Sequence, residues 1–176
     1  MHLATRLTSV LMILGLSVAP ANAQYVAGNI GSMPSSVQQR FADSLASIGM
    51  TRCAPRALQI FSFLAENSEA QFTVQPLGPD ANTWPTVITM ESSHADNGRT
   101  RLSVINMSTN CSGSYQQTIF WPQDCATMKD TVFAVFRDPR VLLRAVTIAE
   151  LDAATQVYLI PAGYNGCISV KKELFR

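Results

Sequence analysis

Between residues 34 and 48 the apolar side chains Val37, Phe41, Leu45 and Ile48 recur at steps of three and four. That spacing lines them along one stripe of an α-helix. Pro34 with Ser35 and Ser36 marks its start, and Gly49 marks its end. A second helix is predicted over Pro55–Asn67, where Leu58, Phe61, Phe63, Leu64 and Ala65 make a broad apolar face. The pair reads as a helical hairpin whose short connection carries Cys53.

After Ser68 the period changes to two. Phe72 and Val74 alternate with Gln71, Thr73 and Gln75, the mark of a half-buried strand. Further strands are predicted over Pro85–Ser92, Arg99–Ser108 and Ser114–Trp121. Asn97-Gly98 between two of them is a strong hairpin signal. Short connections imply antiparallel pairing. In the last of these strands Tyr115, Gln117, Ile119 and Trp121 share one face and Phe120 takes the other.

Asp124 caps a short helical turn through Met128. Thr131–Phe136 suits either an extension of that helix or a strand, its Thr, Val and Phe content favouring strand, and Val141–Val146 is apolar but ambiguous. Thr147 and Glu150 have capping-box spacing, predicting one short helix. Val157–Ile160 and Cys167–Lys172 form a closing hairpin around PAGYNG. The expected architecture is α+β: an N-terminal helical hairpin on an antiparallel sheet of five to seven strands, with two disulfides.

The chain's start adds a compartment. MHLATR carries one Arg and no acid, an apolar run follows, and Ala21-Asn22-Ala23 has the small-x-small pattern of a cleavage site. Residues 1–23 read as a cleaved secretory signal, 24–34 as a flexible lead-in and 35–176 as one domain. The apolar run is shorter than the roughly 20 residues that span a bilayer as an anchor. Removing Arg6 from the 13 basic residues leaves 12 against 12 acidic. A neutral surface supplies no electrostatic attraction to nucleic acid, and no second segment is long enough to anchor in a membrane. The expected location is the periplasm or the exterior.

Four cysteines, Cys53, Cys111, Cys125 and Cys167, are an even number in an exported chain and predict two disulfides. No C-x-x-C pair suggests a redox centre, and His94, the one histidine beyond the leader, is not spaced with any cysteine as zinc requires. Neither a metal nor a cofactor is expected. An eight-residue strand over Ser114–Trp121 separates its ends by about 26 Å, whereas a disulfide needs Cα atoms within about 7 Å. A Cys111–Cys125 bond is therefore disfavoured. The pairing expected is Cys111–Cys167, between two strand ends, with Cys53–Cys125 tying helices to sheet.

Candidate chemistry is sparse. His94 and Asp96 are the sharpest catalytic pair, a potential general base beside a carboxylate, but SHADNG also has the composition of a hairpin tip. No nucleophile-elbow or S-x-x-K motif accompanies it. Glu66, Glu69, Asp80, Glu91, Asp124, Asp130 and Glu150 are scattered, as on a solvated surface. Arg137, Arg140 and Arg144 cluster in FRDPRVLLR and suit an anionic group. Tyr115, Trp121 and Trp84, with Phe120 and Tyr158, suit a partner surface or a ligand groove. Two N-x-S sequons, at Asn106 and Asn110, matter only in a glycosylating host.

These readings favour a non-catalytic exported module that binds a protein partner, of the inhibitor or periplasmic accessory type. A secreted hydrolase using His94 and Asp96 is the alternative, and a small-ligand carrier the third.

Overall fold

The computed structural model describes residues 35–66, 68–94, 99–142 and 145–176. The leader and lead-in readings, Asp96, the Asn97-Gly98 turn and Arg144 lie outside these residues, as does the His94 side chain. Among these residues three helices, α1 (Ser35–Ser47), α2 (Ala54–Ala65) and α3 (Cys125–Thr131), accompany eight strands. The strands are β1 (Ser68–Pro76), β2 (Thr86–His94), β3 (Thr100–Met107), β4 (Gly113–Trp121), β5 (Arg137–Leu142), β6 (Val146–Glu150), β7 (Thr155–Ala162) and β8 (Gly166–Phe175). They form one antiparallel sheet in the order β1-β2-β3-β4-β8-β7-β6-β5. The α+β class and the presence of two disulfides match expectation; the count of five to seven strands does not.

The two extra strands come from segments whose local signals are weak or misleading. Val141–Val146, left ambiguous, contributes the end of β5 and the start of β6. Thr147–Glu150, expected as a helix from its capping box, lies in β6 and pairs on both sides, with β5 and β7. Neighbours on both sides pair most backbone groups of the segment, which outweighs a cap signal worth about 1 kcal/mol. The opposite error occurs at Thr131–Phe136, expected as strand. There Val132 and Phe133 donate their N–H groups to the Met128 carbonyl, and Phe136 N–H donates to Phe133. Phe133 and Phe136, three apart, turn inward together beside Trp121, while Val132 and Val135 face solvent.

The helical layer also departs from a simple hairpin. α1 and α2 cover one half of the sheet and α3 covers the other, so the layer has two separate parts. The link between α1 and α2 is held by the β1–β2 loop. Asn82 Oδ1 accepts from the Thr51 and Arg52 N–H groups at 3.0 and 3.1 Å, and its Nδ2 donates to the Gly49 carbonyl at 2.8 Å. Gly49, at φ +72°, ends α1 as its position predicted.

Each part of the layer has its own core. Under α1 and α2, Phe41 and Phe61 stack with ring centroids 3.9 Å apart, and Phe72 of β1 meets both edge-on at 5.2 Å. Ile88, Met90 and Ile105 complete the floor. Under α3, Met128 and Phe133 pack on Trp121, Val157 and Leu159.

The disulfide pairing expected from sequence is overturned. The bonds are Cys53–Cys111 and Cys125–Cys167, with Cα atoms 5.2 and 5.0 Å apart. The β4–β8 register explains why. Trp121 lies opposite Cys167, while Gly113 lies opposite Phe175, at the far end of the same pair. Cys111 is therefore a strand length from Cys167, and Cys125, just beyond Trp121, is beside it. Each bond serves one core: Cys53–Cys111 ties α2 to the β3–β4 turn, and Cys125–Cys167 ties α3 to β8.

Asp124 caps α3 as its sequence position suggests. Its Oδ1 accepts from Thr127 N–H at 3.0 Å and its Oδ2 from the Thr127 hydroxyl at 2.8 Å. The Thr127 backbone N–H holds the carboxyl below its ordinary value. A depressed folded pKa contributes stability above the unfolded value of about 3.9, lost as pH falls through the folded one. Asp124→Ala is thus expected to lower the melting temperature at pH 6, with the gap to wild type closing below about pH 4. Thermal scans across that range measure it.

Candidate functional site

The cross-strand register sorts the sheet residues into two faces. On the helix side lie Thr86, Ile88, Met90 and Ser92 of β2, then Arg101, Ser103, Ile105 and Met107 of β3. β4 adds Tyr115, Gln117, Ile119 and Trp121, and β8 adds Cys167, Ser169, Lys171, Glu173 and Phe175. The two cores use the ends of this face. Between them runs a polar seam of Ser92, Arg101, Ser103, Gln117, Lys171 and Glu173.

Charge in the seam is closely matched. Lys171 Nζ lies 2.9 Å from the Glu173 carboxylate and 3.2 Å from the Tyr115 hydroxyl, which donates to the same carboxylate. The Arg99 guanidinium lies over the Trp121 ring, 4.4 Å from its centroid, and the indole N–H donates to Ser169 Oγ at 2.8 Å. Burial pushes the Arg101 guanidinium down from its ordinary value, opposed by the Glu66 carboxylate.

Among the described residues the opposite face carries no helix, since α1, α2 and α3 all pack on the first. Here Leu102, Thr118, Val170, Tyr158 and Ile148 form one continuous cross-strand row. Phe120, Ile168 and Ile160 form the next. Phe120 is 57% exposed, Leu102 46% and Leu174 51%. Apolar side chains side by side on a solvated sheet face are the usual mark of an interaction surface.

The candidates from sequence fall in different places. Tyr115 and Trp121 share a face, as the alternation predicted, but both are buried there and form the floor beneath the helices. They are unavailable to a partner as surface contacts. Trp84 is half exposed, on the β1–β2 loop, and its ring occupies the space that a side chain at Gly78 would take. Arg137 and Arg140 are exposed on the edge strand β5, where Arg140 is ion-paired with Glu150. An exposed pair contributes about 0–1 kcal/mol. Arg140 lies in the same cross-strand row as Ile148 and Tyr158, on the face opposite Tyr115 and Trp121. Among the described residues, no group of three His, Cys, Asp or Glu side chains is placed to hold a metal.

Sequence reasoning missed Arg99, Arg101, Lys171 and Glu173. Their signal was spacing: charged residues two apart, Arg99 and Arg101 at the start of β3 and Lys171 and Glu173 in β8, on the face that elsewhere carries the core. It also named Phe120 as the aromatic opposite Trp121 without identifying it as the exposed one.

At one end of the sheet a surface groove of about 510 Å³ runs between Leu77, Pro85, Val87, Asn106, Ser114 and Leu174. It opens to solvent, unlike the enclosed apolar cavity a small-ligand carrier needs. Among the described residues, no helix is long and apolar enough to cross a membrane. Compared with known proteins, the chain matches no family model, no curated protein and no solved structure.

Proposed function

We propose that this chain is an exported, disulfide-stabilised binding or accessory module that takes a protein partner on the helix-free face of its sheet. The observation carrying this reading is the pair of apolar rows containing Leu102 and Phe120, with both residues about half exposed. Two disulfides fit an oxidising compartment. A partner seated there removes these side chains from water at about 25 cal/mol per Å² of apolar surface, before the cost of association.

Capture from the exported proteome, with the chain immobilised, tests it. A specific partner retained by wild type is expected to be lost, at least tenfold, with Leu102→Asp/Phe120→Asp. Both residues are outside the cores, so circular dichroism of the variant should match wild type. Retention of the same partner by the double variant counts against this face. Failure of wild type to retain any protein counts against the module.

A further inference from the structure

Charge on the helix-free face is divided between its two halves. Strands β1 to β4 bring Glu69 and Glu91 to this face and no Lys or Arg. Strands β8, β7, β6 and β5 bring Lys172, Arg137 and Arg140, with Glu150 ion-paired to Arg140. Among the described residues Glu69, Glu91, Arg137 and Lys172 make no ion pair. Between the acidic and the basic ends lie the apolar rows of Leu102, Val170 and Tyr158 and of Phe120, Ile168 and Ile160.

We infer that the partner is a second copy of this chain, laid face to face about a two-fold axis that runs along the strands between β4 and β8. The inference rests on the helix-free face being the partner surface, and it names the occupant. Four strands stand on each side of that axis, so β1 lies over the other copy's β5, and β4 over its β8. Each cross-strand row then lies over itself reversed. Leu102 meets Tyr158 of the other copy, and Phe120 meets its Ile168, apolar on apolar. Glu69 and Glu91 come over the end of the sheet that carries Arg137 and Arg140, and symmetry makes the contact twice. A two-fold across the strands sets β1 over β1 and β5 over β5, like charge on like, which is unfavourable.

Shape and area agree with this arrangement. Sheets of one hand of twist stack face to face with their strands about 30° apart, as two copies of one sheet do. Eight strands about 4.8 Å apart make the face about 35 Å wide, and the shortest strand, of 5 residues, spans about 17 Å. Two such faces together bury at least about 1,200 Å², the lower end of stable interfaces.

Sedimentation equilibrium of the oxidised mature chain tests it. Wild type is expected to dimerise at micromolar concentration. Leu102→Asp/Phe120→Asp is expected to dimerise at least about a hundredfold more weakly, because it buries unpaired carboxylates. Glu69→Gln/Glu91→Gln is expected to weaken the dimer about tenfold, as both copies lose their exposed ion pairs. Glu69→Lys/Glu91→Lys and Arg137→Glu/Arg140→Glu are each expected to self-associate poorly and, mixed in equal amounts, to form the dimer again. All four positions are exposed, so these variants should keep the wild-type circular dichroism. A monomeric wild type overturns the second copy as occupant; if a different protein is still captured and is lost with Leu102→Asp/Phe120→Asp, the partner surface itself stands. A dimer unaffected by Leu102→Asp/Phe120→Asp overturns this face as its interface. A dimer unchanged or strengthened by Glu69→Gln/Glu91→Gln overturns the axis along the strands, as does a charge-reversed mixture that stays monomeric.

Discussion

Replacing Cys53 and Cys111 together by alanine is expected to destabilise the fold by about 4 kcal/mol. The bond closes a loop of 58 residues in the unfolded chain, and the entropy removed grows with the logarithm of that length. Cys125→Ala/Cys167→Ala opens a loop of 42 residues and is expected to cost nearly as much, because the logarithms differ little. The local consequences differ. Losing the first bond frees the start of α2 from the β3–β4 turn; losing the second frees α3 from β8. Urea unfolding with matched slopes measures the totals, and amide exchange assigns each loss to its own half. Peptide mapping without reduction checks the pairing itself. A peptide linking Cys111 to Cys167, or Cys53 to Cys125, contradicts the register of β4 against β8.

Phe61→Ala is expected to cost about 3–5 kcal/mol, the range for emptying a large buried aromatic site. Phe61 is fully buried, stacked on Phe41 and met edge-on by Phe72, so its removal leaves three elements facing a void. Phe63, two residues on, is 41% exposed and tilts against Tyr115 with centroids 6.1 Å apart. Its replacement by alanine is expected to cost about half as much or less, since it buries less area. Chemical denaturation of the two variants side by side reads the difference. Equal losses contradict the placement of α2 on the sheet.

That contrast shows where sequence stops. The helical period of α2 named Phe61 and Phe63 together, because both fall within one broad apolar arc. Only the angle at which α2 meets β1 decides which of them enters the stack. The alternation along β4 likewise placed Tyr115 and Trp121 on one face and Phe120 on the other. It could not say which face the helices would cover: Tyr115 and Trp121 are buried, and Phe120 opposite them is exposed.

The sequence by itself determined what depends on neighbours a few residues away. It placed α1 with its Gly49 stop, the Asp124 cap, the strand alternation from Phe72 to Trp121, the closing hairpin and the presence of two disulfides. These follow from backbone preference, side-chain period and parity of cysteines, all local or compositional. Tertiary structure alone decided the strand identity of Thr147–Glu150, the inward turn of Phe133 and Phe136, the disulfide partners and the seam of Ser92, Arg101 and Ser103. Thr147–Glu150 is held as strand by its pairing with β5 and β7, the seam by β2 against β3, and the disulfide partners by β4 lying antiparallel to β8. A register of that kind joins residues more than 40 positions apart, and no local propensity carries it.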